Sequence, residues 1–140
     1  MHPRFIALAL APILLAACSN GVQKDAAYKS AVELRDAMVK SGYSCPQWSD
    51  KDTTGGFDAG ACLSDNRDQI RVYTTQDARE KDTESAILGA QLIMASVRVD
   101  MAVLVGTNWT VSGPKRDVEQ LQPKLGGYIP DISQVRLPGR

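Results

Sequence analysis

The side chains able to do chemistry are few, and their spacing narrows what that chemistry can be. Cysteine occurs at positions 18, 45 and 62, and the single histidine is His2. Asp50-Lys51-Asp52-Thr53-Thr54-Gly55, with Asp58 beyond, opens like an EF-hand loop, where oxygen ligands alternate and a glycine takes the sharp turn. The twelfth position of such a loop needs a bidentate glutamate, and Ala61 stands there. A solvated surface loop is the better reading, and no metal site is expected. Asp50, Asp52 and Asp58 are also the carboxylates an acid–base enzyme would draw on. That chemistry needs two of them converging with separated pKa values, and their spacing imposes nothing of the kind. The expectation is a protein that is not an enzyme and carries no cofactor. Gly106-Thr107-Asn108-Trp109 is the remaining constellation. Gly106, Asn108 and Trp109 at a hairpin tip could contact a ligand or partner. The same residues also make a tight turn, with Asn108 left-handed and Trp109 buried in the core.

The first cysteine closes a distinctive stretch. Arg4 precedes an apolar run from Phe5 to Ala17, broken only by Pro12. A basic start and a run of roughly thirteen apolar residues read as a secretory signal, too short for a permanent membrane span. Leu15-Ala16-Ala17-Cys18 resembles the lipobox of bacterial lipoprotein precursors. The resemblance implies a signal peptide over 1–17, cleavage before Cys18, and acylation of that cysteine, with palmitate among the chains. Two or more acyl chains anchor durably where one is marginal. Residues 18–24 then read as a lipidated tether, and the partner implied is the membrane itself. The expected address is the extracytoplasmic side of the cell membrane. Ser19 resembles the outer-membrane sorting default in envelopes with two membranes.

That processing changes the chemical inventory. Removing 1–17 takes away His2, so the mature chain has no histidine and no Ser-His-Asp or Cys-His machinery. With Cys18 acylated, Cys45 and Cys62 remain in a compartment where disulfides persist, and two cysteines allow one pairing. A Cys45–Cys62 bridge is expected. The 16 basic and 16 acidic residues leave no net charge, hence no broad footprint for nucleic acid.

The elements that would position these residues follow from periodicity. Ala27, Ala31, Leu34 and Met38 share one helical face within 25–41, ended by Gly42. Strand-like stretches follow at 43–48, 57–63 and 69–74, so that Cys45 and Cys62 fall on or beside neighbouring strands. A second helix begins near Asp77, with Ala86, Ala90, Ile93 and Val97 on its inner stripe. Val97, Val99, Met101, Val103 and Val105 alternate as a strand, and the turn at 106–108 leads into another from Trp109. Pro114 suits the first position of a third helix, which Pro123 should kink and Gly126-Gly127 should stop.

This order predicts an α+β two-layer sandwich, an antiparallel sheet of about five strands with helices packed on one face. The domain would span 25–127, with 128–140 an extended, loosely held tail. Val103 to Val111 and the Leu-Gly-Gly of 125–127 resemble small secreted or lipid-anchored actinobacterial proteins of unassigned function, which usually carry a Gly-x-Asn-Trp turn. The likeness implies a shared fold and address, not a shared activity. The functional expectation is a small accessory or interaction module of the cell envelope with an envelope protein as partner. The alternative is a small-ligand carrier with a pocket above roughly 300 Å³ between sheet and helices.

Overall fold

The computed structural model describes residues 21–51, 57–62, 69–73, 76–97 and 100–134. The signal segment, Cys18 and residues 52–56 of the EF-hand-like loop lie outside these residues. The fold is α+β. Strands β1 (Trp48–Lys51), β2 (Phe57–Cys62), β3 (Gln69–Tyr73), β4 (Met101–Val105) and β5 (Trp109–Pro114) pair antiparallel in the order β1-β2-β3-β5-β4.

Helices cover both faces of this sheet, which corrects the two-layer, one-faced arrangement. Helices α1 (Ala31–Lys40) and α3 (Lys115–Leu125) lie on one face. There Leu34, Met38, Val118, Leu121 and Leu125 close over Val72, Ala102, Leu104, Trp109 and Val111. Helix α2 (Gln76–Val97) lies on the other face, where Ile87 and Ala90 meet Val103 and Val105. The physical reason is in β4. Ala102-Val103-Leu104-Val105 is apolar at every position, and successive strand residues point to opposite faces. A strand apolar on both sides must be covered on both sides.

Helix α1 starts later than the stripe from Ala27 suggests. Its cap is Ser30, whose hydroxyl accepts from the Glu33 N–H at 3.2 Å. The Glu33 carboxylate in turn accepts from the Lys29 N–H at 2.9 Å, so Ser30-x-x-Glu33 works as a variant of the capping box. Residues 25–30 form an irregular strap, with Asp25 at φ 58. Gly42 does follow the helix, at φ 95. Helix α2 runs on to Val97, through residues read as the start of a strand, and Ile93 turns outward instead of inward. Helix α3 continues through Pro123, with only two helical residues after it.

Both ends of the domain are more firmly held than a tether and a loose tail. Val22 packs against the α1/α3 core. Tyr128 pairs with Val105, donating at 3.0 Å and accepting at 2.8 Å. Ile132, in a short 3-10 turn (Ile132–Gln134), is buried against α2, and Gln91 donates to its carbonyl at 2.5 Å. The domain therefore reaches from residue 22 to 134, and 135–140 lie outside the described residues.

Candidate functional site

The turn at 106–109 is where the sequence concentrated its signal, and it is built as a clamp. Gly106 donates to the Trp109 carbonyl at 2.8 Å. The Arg79 guanidinium, from α2, donates to the carbonyls of Gly106 (2.8 Å) and Thr107 (2.7 Å). From the opposite side the strap closes in. The Asn108 amide accepts from the Tyr28 N–H at 3.0 Å and donates to the Tyr28 carbonyl at 2.8 Å, so one side chain mimics a strand pairing. The Thr107 hydroxyl donates to the Asp25 carbonyl at 2.7 Å, and the Trp109 indole N–H to the Ala26 carbonyl at 2.9 Å. Trp109 is 0% exposed and meets Tyr28 edge-on, with centroids 6.1 Å apart.

The glycines make these approaches possible. A Cβ on Gly106 would stand 2.0 Å from the Trp109 ring, so only glycine fits there. Gly126 and Gly127, at φ 81 and 79, bring the end of α3 against the same strap. Asp25 donates its N–H to the Leu125 carbonyl at 2.8 Å, and its carboxylate accepts from the Gly127 N–H at 2.8 Å. Asn108 is not left-handed: among described non-glycine residues only Asp25 has a positive φ. Thus Gly106, Asn108 and Trp109 come together, with the Asn108 amide and the Trp109 indole N–H bonded to the chain's own strap.

The carboxylates singled out as acid–base candidates are separated by their duties. Asp58 accepts from the Ala31 N–H at 2.9 Å, satisfying one of the orphan donors at the start of α1. Asp50 accepts from the Trp48 indole N–H at 2.5 Å. Asp52 lies outside the described residues. Among the described residues no three His, Cys, Asp or Glu side chains group as metal ligands.

Cys45 and Cys62 form a disulfide with Cα atoms 5.2 Å apart, inside the usual range. It ties the loop before β1 to the end of β2, where Trp48 and Cys62 stand in register. The Trp48 ring lies across Gly60, where a Cβ would come within 1.9 Å of it, and the Arg35 guanidinium stacks 5.3 Å from the ring centroid. The bridge is a structural element of the sheet edge.

Two surface features bear on the functional reading. A groove of about 620 Å³ runs along the outer side of α1, between Glu33, Asp36, Ala37 and Lys40 and the segment holding Val22 and Tyr28. It is not between sheet and helices, where the core side chains interlock. The second feature is the outer face of α2, where Leu88, Leu92 and Ile93 are 39%, 56% and 44% exposed.

Tyr28 lines that groove, and burial pushes its phenol above the ordinary 10.0. Among the described residues its hydroxyl is buried without a hydrogen-bond partner. Below pH 10 the phenol is protonated folded or unfolded. Above it the unfolded chain releases the proton first, so stability falls as pH rises through the folded value. Tyr28→Phe is expected to flatten that alkaline decline and to be neutral or stabilising near pH 7, by at most about 1 kcal/mol. Urea denaturation at pH 7 and pH 10.5 checks both statements.

No family model, no curated protein and no solved structure matches this chain. Among the described residues no helix is long and apolar enough to cross a membrane.

Proposed function

We propose that this chain is a small lipid-anchored protein of the extracytoplasmic face of a bacterial membrane, serving as an interaction or accessory module rather than an enzyme. The observation that carries this reading is the sequence from Arg4 to Cys18: a charged start, an apolar run, and Leu-Ala-Ala before a cysteine. Two features agree with it. The mature chain has no histidine, and its remaining cysteines are joined, so the common nucleophile–base pairs are missing. The apolar row Leu88, Leu92 and Ile93 gives an interaction module an outward surface.

The anchor is tested by fractionation. Wild-type protein is expected in the membrane fraction, with a mature N-terminal peptide that begins at Cys18 and carries glyceryl and acyl mass. Cys18→Ala is expected to leave the protein unprocessed or to release it, shifting essentially all of it out of the acylated pool. Normal acylation and retention of the variant would refute the lipobox reading.

The interaction role is tested with a photo-crosslinker placed at Leu92 and, as a control, at Glu119 on α3. A single adduct from Leu92 at near-stoichiometric yield, absent from Glu119, is the expected result. A second reading, a small-ligand carrier, is favoured by the groove along α1, whose volume exceeds the roughly 300 Å³ that ligand pockets require. The absence of any adduct across growth conditions would move the weight to that groove.

A further inference from the structure

The described chain enters the domain at Gly21 and Val22, beside one particular edge of it. Val22 is packed on the core, and Gly21 lines a notch of about 350 Å³ where the C-terminal ends of α1 and α3 come together. Lys24, Lys40 and Lys124 line this notch, and among the described residues no acidic side chain does. Lys124 donates to the Ser41 carbonyl at the end of α1. The nearest carboxylates farther along α1 are already engaged: Glu33 accepts from the Lys29 N–H, and Asp36 pairs with Arg35 at 2.6 Å. The lysines also offset the partial negative ends of the two helices, which accounts for part of their placement.

The length of chain before the notch supplies the second argument. Three residue steps separate Gly21 from Cys18, and fully extended they span at most about 10 Å. That is about one Debye length at 0.1 M salt. A cysteine held at the headgroup level therefore keeps the lysine edge within electrostatic reach of the membrane.

We infer that Lys24, Lys40 and Lys124 form a membrane-facing rim that seats the domain on anionic lipid headgroups. The inference rests on acylation of Cys18 as proposed above. The anchor supplies attachment, and the rim sets orientation. It directs the opposite end of α3, with Lys115, away from the bilayer.

The test uses the mature protein extracted from membranes and reconstituted into vesicles, either all phosphatidylcholine or with three-tenths phosphatidylglycerol. Brief treatment with acetic anhydride is followed by mass spectrometry at each lysine. At 50 mM salt, acetylation of Lys24, Lys40 and Lys124 is expected to be about threefold or more slower on the anionic vesicles. A surface potential near −30 mV lowers the local free-amine fraction by about that factor. Lys81 and Lys115 should not change, and the difference should vanish in 1 M salt, where the Debye length is about 3 Å. Equal rates at the three lysines on both vesicles, or slowing that spreads equally to Lys81 and Lys115, would overturn the rim. Failure of the protein to float with either vesicle would instead overturn the anchor on which the rim depends.

Discussion

Trp109→Ala is expected to remove a large part of the stability of this domain. The indole is the largest fully buried side chain, at 0% exposure. Truncating such a residue costs about 3–5 kcal/mol, counting lost transfer energy and the cavity left behind. A domain of this size holds about 5–15 kcal/mol in total. The cost here includes more than apolar area. The ring is the floor that Tyr28 meets edge-on, and its N–H is the strap's bond at Ala26. Losing both loosens residues 25–28, and with them the contacts to Asn108, Leu125 and Gly127. Thermal denaturation should show a drop of about 10–20 °C, taking about 4 °C per kcal/mol for a domain of this length. Trp109→Phe keeps a ring and loses the N–H, so a much smaller drop is expected. Hydrogen exchange at Tyr28 and Gly127 should accelerate in Trp109→Ala beyond the global change. An alanine variant that melts with the wild type would show that the strap and core do not depend on this ring.

Gly106-x-Asn108-Trp109 was visible as a special turn, and burial of Trp109 was one of its two readings. The strap that it grips was not. Ala27 fits the spacing of Ala31, Leu34 and Met38, and alanine carries little information about which side of a helix is wet. The signal against a helix from 25 was Ser30-x-x-Glu33, a helix start with its own mechanism, masked by a hydrophobic stripe that happened to continue upstream. Bonds between residues about 80 positions apart, such as Asn108 to Tyr28, leave no local trace at either end.

The second face of the sheet is legible in β4. Val103 and Val105 were seen as one face, while Ala102 and Leu104 between them are equally apolar. Period-2 alternation had no polar partner there, so the strand belongs to the class covered on both sides. Helix α2 misled for the converse reason. Ile93 fits the inner stripe with Ala86 and Ala90, yet it faces outward, as do Leu88 and Leu92, while Asp82 is buried. The acidic residues show a third case. Asp58 was noticed for chemistry, but a carboxylate at the N-terminal end of a helix from a distant strand is a cap that only the fold reveals.

The Cys45–Cys62 bridge carries the other large expected effect. Cys45→Ala with Cys62→Ala should lower stability by about 3 kcal/mol, the chain-entropy contribution of a loop closed over a separation of 17 residues. The location decides how the loss is distributed. Strand β1 is the outer strand of the sheet, four residues long and paired only with β2. A short edge strand contributes little by its own pairing. What remains without the bridge is the Trp48 ring across Gly60 and its stack with Arg35. Fraying should therefore begin at β1, and Trp48 should report it as a loss of near-ultraviolet ellipticity below the main transition. Helix α1 then loses a neighbour, because Cys62 belongs to the same buried cluster as Leu34 and Met38. The matching measurement is a reductant comparison. Dithiothreitol should lower the wild-type melting temperature by about as much as the double substitution does, and should leave the double variant unchanged. Two thiols alkylated in the unreduced native protein would show that the bridge does not form, and the stability of β1 would have to rest on Trp48 alone.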